Sequence, residues 1–435
     1  MYKEIAEFIS YGNIPHDSIL YRLGDIFRDY DENRSSDAEL KRRIYTEVHR
    51  LLALATDYGF DGNLWQNYLT YLLITDENPF SITCEKVGAN EGSVNEFAKN
   101  DFRAAIRLFH YDFAPIEKAL GINVFTVLCN YKAVVKKDLM YNHSVSVKVR
   151  ELSARLSQAK DENEFFTIMT DFYKAVGVGM FGLNKAFRIS DDDGKVIFHP
   201  INNMEVVHLN DLVGYEEQKR QLVENTGAFV EGRGGNNCLL YGDSGTGKST
   251  SIKAIVNEYY DQGLRMIEIY KHQMKDISTV ISMIKNRNYR FIIYMDDLSF
   301  ENFEIEYKYL KAVIEGGVET KPGNVLIYAT SNRRHLIKED WSDRDDVEGD
   351  AGIFKSDTIE EKLSLVNRFG CQINYSKPDQ KRYFEIVREL AHRNKIDMTD
   401  EELEKAANVW EIRRGGMSGR TAQQLINYLS GKGEV

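Results

Sequence analysis

The chain is short of cysteine, of excess positive charge and of long apolar runs. Its four cysteines, Cys84, Cys129, Cys238 and Cys371, lie far apart and form no C-x-x-C pair. That excludes a disulfide framework or a zinc knuckle and points to a reducing compartment. The four read as small buried hydrophobes. Acidic residues outnumber basic ones, 67 to 56, for a net charge of −11. Proteins that coat duplex DNA are basic, so that class is disfavoured, though a local basic groove is not. No apolar stretch is long enough to span a bilayer. Glu4 and Glu7 interrupt the first apolar run, which a signal peptide does not tolerate. The expectation is a cytoplasmic protein with no membrane partner.

What is there is ample core material, 25 Tyr and 22 Phe among 435 residues. The length suggests about two to three domains. The first part, to about Asp193, has helical periodicity. Ala38 to Tyr58 places Leu40, Ile44, Val48, Leu51, Leu52 and Ala55 on one face and stops at Gly59. Leu64 to Ile74, Ser93 to His110 and Val145 to Ala159 follow. Asp161 then stands as an N-cap with Glu164 three residues on. Around Asp193-Gly194, alternating residues mark a hairpin.

From Asn237 onward short apolar runs alternate with helical ones. The runs are Asn237–Tyr241, Arg265–Ile269, Phe291–Met295, Val325–Ala329 and Cys371–Tyr375. Such alternation predicts an α/β fold, a parallel sheet with helices on both faces. After Pro378 the pattern is helical again: Gln380–Arg393, Asp400–Trp410 and Ser418–Leu429. The expected boundaries are 1–200 for a helical domain that recognises a partner, 201–376 for the α/β core and 377–435 for a helical lid. Glu339 to Asp350 is an acidic, irregular stretch read as solvated.

The strongest motif is Gly242-Asp243-Ser244-Gly245-Thr246-Gly247-Lys248-Ser249, a complete G-x-x-x-x-G-K-[ST]. A strand enters it and a helix, beginning with Thr250, leaves it. Its glycines let backbone N–H groups turn toward phosphate oxygens, and the helix N-terminus adds partial positive charge. Lys248 is expected on the β- and γ-phosphates and Ser249 on Mg²⁺. Phe291–Met295 ends in Asp296-Asp297. Asp296 stands where a metal-holding carboxylate belongs, and Asp297 where a carboxylate orients the attacking water. Glu301 and Glu304 are alternatives for that second role. The implied cofactors are ATP and Mg²⁺.

These residues resemble an AAA+ ATPase from about His208 to Leu429. Asp211 to Tyr215, with Val213 and Gly214, is similar to the segment on the adenine side. Ala329-Thr330-Ser331-Asn332 resembles the sensor-one strand end, with Asn332 as its polar residue. Leu365 to Phe369 resembles the arginine-finger segment, with Arg368 as the finger. Arg420 falls where a sensor-two arginine is expected, in a first helical turn that disfavours a cation unless an anion is near. More narrowly, Asp296 to Glu301, Tyr328 to Leu336 and Arg368-Phe369-Gly370 resemble a bacterial family of predicted ATPases with no assigned task. The resemblance implies a five-stranded sheet of order 5-1-4-3-2, a helical lid and self-association into a ring or open oligomer.

The pattern departs from the family in two places. Asp297 stands for the usual Glu, one methylene longer. Tyr270 to Ile277 lacks the aromatic-apolar-Gly loop of threading unfoldases. Arg333, Arg334 and His335 form a basic cluster read as a solvated loop. The leading expectation is an ATPase that remodels a partner, a protein rather than a nucleic acid. A slow ATP-dependent switch, loader or replication accessory is the alternative. A small-molecule kinase is disfavoured because no acceptor pocket is marked.

Overall fold

A computed structural model describes residues 1–134, 142–202, 204–300, 306–315, 322–332 and 365–432. The chain divides into two compact units, Met1–Asn184 and Lys185–Val435. Among the described residues no helix is long and apolar enough to cross a membrane.

The first unit is helical. Its longest helix, Asp37–Tyr58, is capped by Ser36 and ends where Gly59 turns left-handed at φ +64°. Helices Leu64–Thr75, Val94–Phe109, His143–Leu156 and Glu162–Ala175 match the expected periodic segments to within a few residues. The Asp161 carboxylate accepts the amides of Asn163 and Glu164, both at 2.9 Å, as an N-cap should. Further helices that periodicity did not single out include Ile19–Asp31 and Pro79–Val87. All pack on one aromatic core that includes Tyr11, Phe80, Phe102, Phe165 and Tyr173.

The second unit is built on a sheet of seven strands. They are β1 (Ala186–Asp192), β2 (Lys195–Pro200), β3 (Cys238–Gly242), β4 (Leu264–Glu268), β5 (Arg290–Met295), β6 (Val325–Ser331) and β7 (Cys371–Tyr375). Their order is β2-β1-β4-β5-β6-β3-β7. The five-stranded expectation is corrected to seven, because the hairpin β1–β2 joins the sheet: β1 pairs parallel with β4 through Ala186 to Arg188. The hairpin therefore lies in this unit, and the expected boundary at residue 200 moves back to Asn184/Lys185. The remaining five strands are mutually parallel and run β7-β3-β6-β5-β4 across the sheet. β5 and β6, almost continuously apolar, are almost wholly buried, as strands covered on both faces must be.

Three helices, Gln380–Arg393, Asp400–Arg414 and Gly419–Lys432, fill the stretch expected to be a lid and share a small core of Tyr383, Ile386, Leu403, Leu425 and Ile426. Val213 packs against that core.

Candidate functional site

The phosphate-loop motif leaves β3 and bends sharply. Gly242 has φ +131°, and a Cβ there would sit 2.2 Å from the Tyr375 carbonyl oxygen. Only glycine lets β3 and β7 stay this close as the loop begins. Asp243 anchors the loop base. Its amide donates to the Tyr375 carbonyl at 3.0 Å, and its carboxylate accepts the Lys377 amide at 2.9 Å. Gly247, at φ +93°, opens the helix Lys248–Tyr259, and no side chain caps the first amides. Those amides carry the partial positive charge of a helix start.

Lys248 is 6% exposed. Its ammonium donates to the carbonyls of Gly242 (2.8 Å) and Asp243 (2.6 Å) and to Asn332 Oδ1 (3.1 Å), all neutral acceptors. Burial pulls its pKa below the usual lysine value, against the attraction of Asp243, Asp297 and Asp296. A buried cation held only by neutral groups is a fit for an anion that can replace them.

The two acidic residues take different neighbours. Asp296 Oδ1 accepts from the hydroxyls of Ser249 (2.7 Å) and Thr330 (2.5 Å). Burial works to raise its pKa, but these hydroxyl bonds prevail and hold it below the usual carboxylate value. Asp297 has a left-handed backbone, φ +51°. Its amide donates to Thr330 Oγ1 at 2.9 Å, and its carboxylate accepts from Asn332 Nδ2 at 2.7 Å. Asn332 therefore bridges Lys248 and Asp297. Thr330 was not singled out in the sequence, yet its one hydroxyl fixes both the Asp296 carboxylate and the Asp297 turn. β5 and β6 pair Met295 with Ala329, which sets Thr330 beside Asp296.

A cavity of about 830 Å³ opens over this network. Of the expected residues it is lined by Val213, Ser244, Gly245, Thr246, Gly247, Lys248, Ser249, Thr250, Asp296, Asp297, Asn332 and Arg420. Arg420 comes from the lid, and its amide donates to the Gly245 carbonyl at 3.2 Å. Ile386, Leu390 and Arg393 line the cavity from the lid as well. Arg393 donates to the carbonyls of Asn210 (2.9 Å) and Asp211 (3.0 Å), tying the lid to the segment before Val213.

Four expected residues do not line the cavity. Gly242 and Asp243 shape the loop from below. Gly214, at φ +80°, leaves room for the Arg382 guanidinium, whose Nε would lie 2.5 Å from a Cβ there. Arg368 stands just before β7 and is not part of the cavity wall. Glu301, Glu304, the cluster Arg333 to His335 and the stretch 339–350 lie outside the described residues. Among the described residues no group of three or more His, Cys, Asp or Glu forms a metal cage. Ser249 and Asp296 are instead one hydroxyl and one carboxylate side by side, a donor set for an ion that keeps most of its water.

Residues 183–433 match the family model described as "Protein of unknown function (DUF815)". No curated protein matches the chain. Among solved structures it is similar to a point mutant of RuvB from Thermotoga maritima, at 17% identity and TM-score 0.36, over 51% of this chain and 64% of that one. The chain thus spans slightly less than two thirds of that relative. It is also similar to the FIGL-1 AAA domain in complex with ADP, at 18% identity and TM-score 0.37, over 53% of this chain and 74% of that one. The Thermotoga maritima RuvB Holliday junction branch migration motor is similar at 14% identity and TM-score 0.33, over 51% and 71%.

Proposed function

We propose that this chain, which belongs to the DUF815 family, is a Mg²⁺-dependent ATPase with an AAA+ type core that couples hydrolysis to remodelling a partner. The observation that carries this reading is Lys248, a buried ammonium at a glycine-rich loop whose hydrogen-bond acceptors are all neutral. The order of the five parallel strands supports the AAA+ assignment.

In this reading Lys248 leaves the loop carbonyls and binds the β- and γ-phosphates, with the uncapped helix amides beside it. Ser249 and Asp296 are the residues that would hold Mg²⁺. When bound, Mg²⁺ supplies positive charge against the phosphate oxygens. Asp297 orients the attacking water and receives its proton at the carboxylate. Asn332, already bonded to both Lys248 and Asp297, keeps the two at a fixed spacing. Arg420 brings a lid cation to the same cavity. Arg368, absent from the cavity wall of its own chain, acts on the neighbouring subunit of a ring or open oligomer.

One observation favours the slower, switch-like alternative. The Asp297 carboxylate is held by Asn332 on a left-handed backbone, which restrains its reach toward a water. Phosphate release and ATP affinity, measured on the chain and on Asp297→Asn, test the reading. The variant is expected to keep ATP affinity and lose turnover by about 10²- to 10⁴-fold, since the amide cannot accept the proton. Unchanged turnover would contradict the role given to Asp297.

A further inference from the structure

Two of the four free cysteines, Cys238 and Cys371, are direct partners in the sheet. Cys238 opens β3, the strand that runs into the phosphate loop, and Cys371 opens β7, three residues after Arg368. The strands are parallel and in register at this pair, so both side chains project to the same face, where they belong to one apolar cluster. Adjacent strands lie roughly 4.8 Å apart. That falls inside the Cα separation of about 4.4–6.8 Å that a disulfide requires. Cys84 and Cys129, by contrast, lie in the other unit.

The two thiols differ in access. Cys238 is fully buried, whereas Cys371 is half-buried and lines a surface groove of about 690 Å³ with Arg233, Asn236 and Gln372. Their electrostatics differ in the same sense. The adjacent Cys238 thiol holds the Cys371 pKa below the usual thiol value. Burial pushes Cys238 up. One thiol is therefore half-buried beside a groove with its pKa lowered, and its neighbour is sheltered with its pKa raised, an arrangement that separates attacking and resolving sulfurs.

We propose that Cys371 and Cys238 form a hydroperoxide-reactive dithiol that closes to an intrachain disulfide across the β3–β7 seam. The Cys371 thiolate attacks one peroxide oxygen and the O–O bond breaks. Cys371 becomes a sulfenic acid, and the other oxygen leaves as water or alcohol with a proton. The Cys238 sulfur then attacks the Cys371 sulfur, the S–O bond breaks, and hydroxide leaves as water with the Cys238 proton. The two sulfurs together lose two electrons to the peroxide, which is the only oxidant required. The resulting crosslink joins the strand that enters the phosphate loop to the strand that follows Arg368.

The test uses the folded full-length chain and hydrogen peroxide, followed by maleimide capping and peptide mass spectrometry. The expected product has two free thiols, at Cys84 and Cys129, and one linked peptide pair containing Cys238 and Cys371, reversed by dithiothreitol. Cys238→Ser should leave a sulfenic acid at Cys371 that dimedone traps, and Cys371→Ser should leave Cys238 unreactive. If a variant fails to fold, the capping pattern of the native chain decides alone. Cys238 and Cys371 still capped by maleimide after peroxide, or Cys371 carried to sulfinic acid without linkage, would overturn the proposal.

Discussion

In residues 1–184 the buried polar groups hold helices to one another. Asp101, fully buried, accepts the amides of Ile9 (2.9 Å) and Tyr11 (3.0 Å). The Tyr11 and Tyr173 hydroxyls bond each other at 2.8 Å, and Tyr173 donates onward to the Leu73 carbonyl. Trp65 donates to the Leu108 carbonyl at 2.7 Å. Each bond closes between neighbours inside the core. In residues 185–435 one set of polar groups, two of them (Lys248 and Thr330) buried and the rest at the surface of a cavity, converges instead. Lys248, Ser249, Asp296, Asp297, Thr330 and Asn332 come from one loop, one helix and two strand ends, and they all line one cavity. Polar groups inside the first unit satisfy the fold, and those around the cavity of the second are left partly open to a ligand. That contrast separates scaffold from site.

The comparison gives the largest effect to a residue outside both networks. Arg368→Ala should lower turnover by about 10³- to 10⁵-fold, roughly 4–7 kcal/mol of barrier. Lys248→Ala should also be inactive, yet a mixture of the two should recover activity, because one subunit keeps its loop and the other its finger. Phosphate release across mixing ratios reads this out. Co-assembled subunits that gain nothing would place Arg368 in its own chain's site or make it structural.

In the first unit, Asp101→Ala strips the acceptor from two buried amides. At about 1–3 kcal/mol each, stability should fall by roughly 2–6 kcal/mol in urea unfolding, with ATP affinity unchanged in the chain that remains folded. A lost affinity with intact stability would erase the contrast between the units.

The smallest effect should come from Thr330→Val, which keeps shape and loses the hydroxyl. The Asp297 amide is orphaned and Asp296 loses a donor, so unfolding should show a loss of about 1–3 kcal/mol. Because this residue serves fold and site together, turnover should fall as well. A variant with full turnover would mean that the Asp297 turn does not need its tether.

What the sequence revealed follows the range of the interactions. The phosphate loop was legible because its glycines, its lysine and the helix start all lie within eight residues, from Gly242 to Ser249. Helix ends such as Gly59 and Asp161 are equally local. Thr330 was missed because its partners Asp296 and Asp297 lie 34 and 33 residues away and meet it only through the register of β5 and β6. The hairpin β1–β2 was visible at Asp193-Gly194, but its place in the sheet depends on pairing with β4, far along the chain. Pro79 stands in a stretch that periodicity did not single out. It is the first residue of the helix Pro79–Val87, where its missing N–H costs nothing and Asn78 supplies the cap. The first unit stayed silent about function for a physical reason: its buried polar groups satisfy one another across the core and leave no chemical pattern.

The claim that the second unit binds ATP through its loop is tested most directly by titrating a fluorescent ATP analogue with Mg²⁺ into the chain and into Lys248→Ala. Saturable binding to the first and none to the second is expected, because the substitution removes the buried ammonium that meets the phosphates. Equal affinities for the two would contradict it.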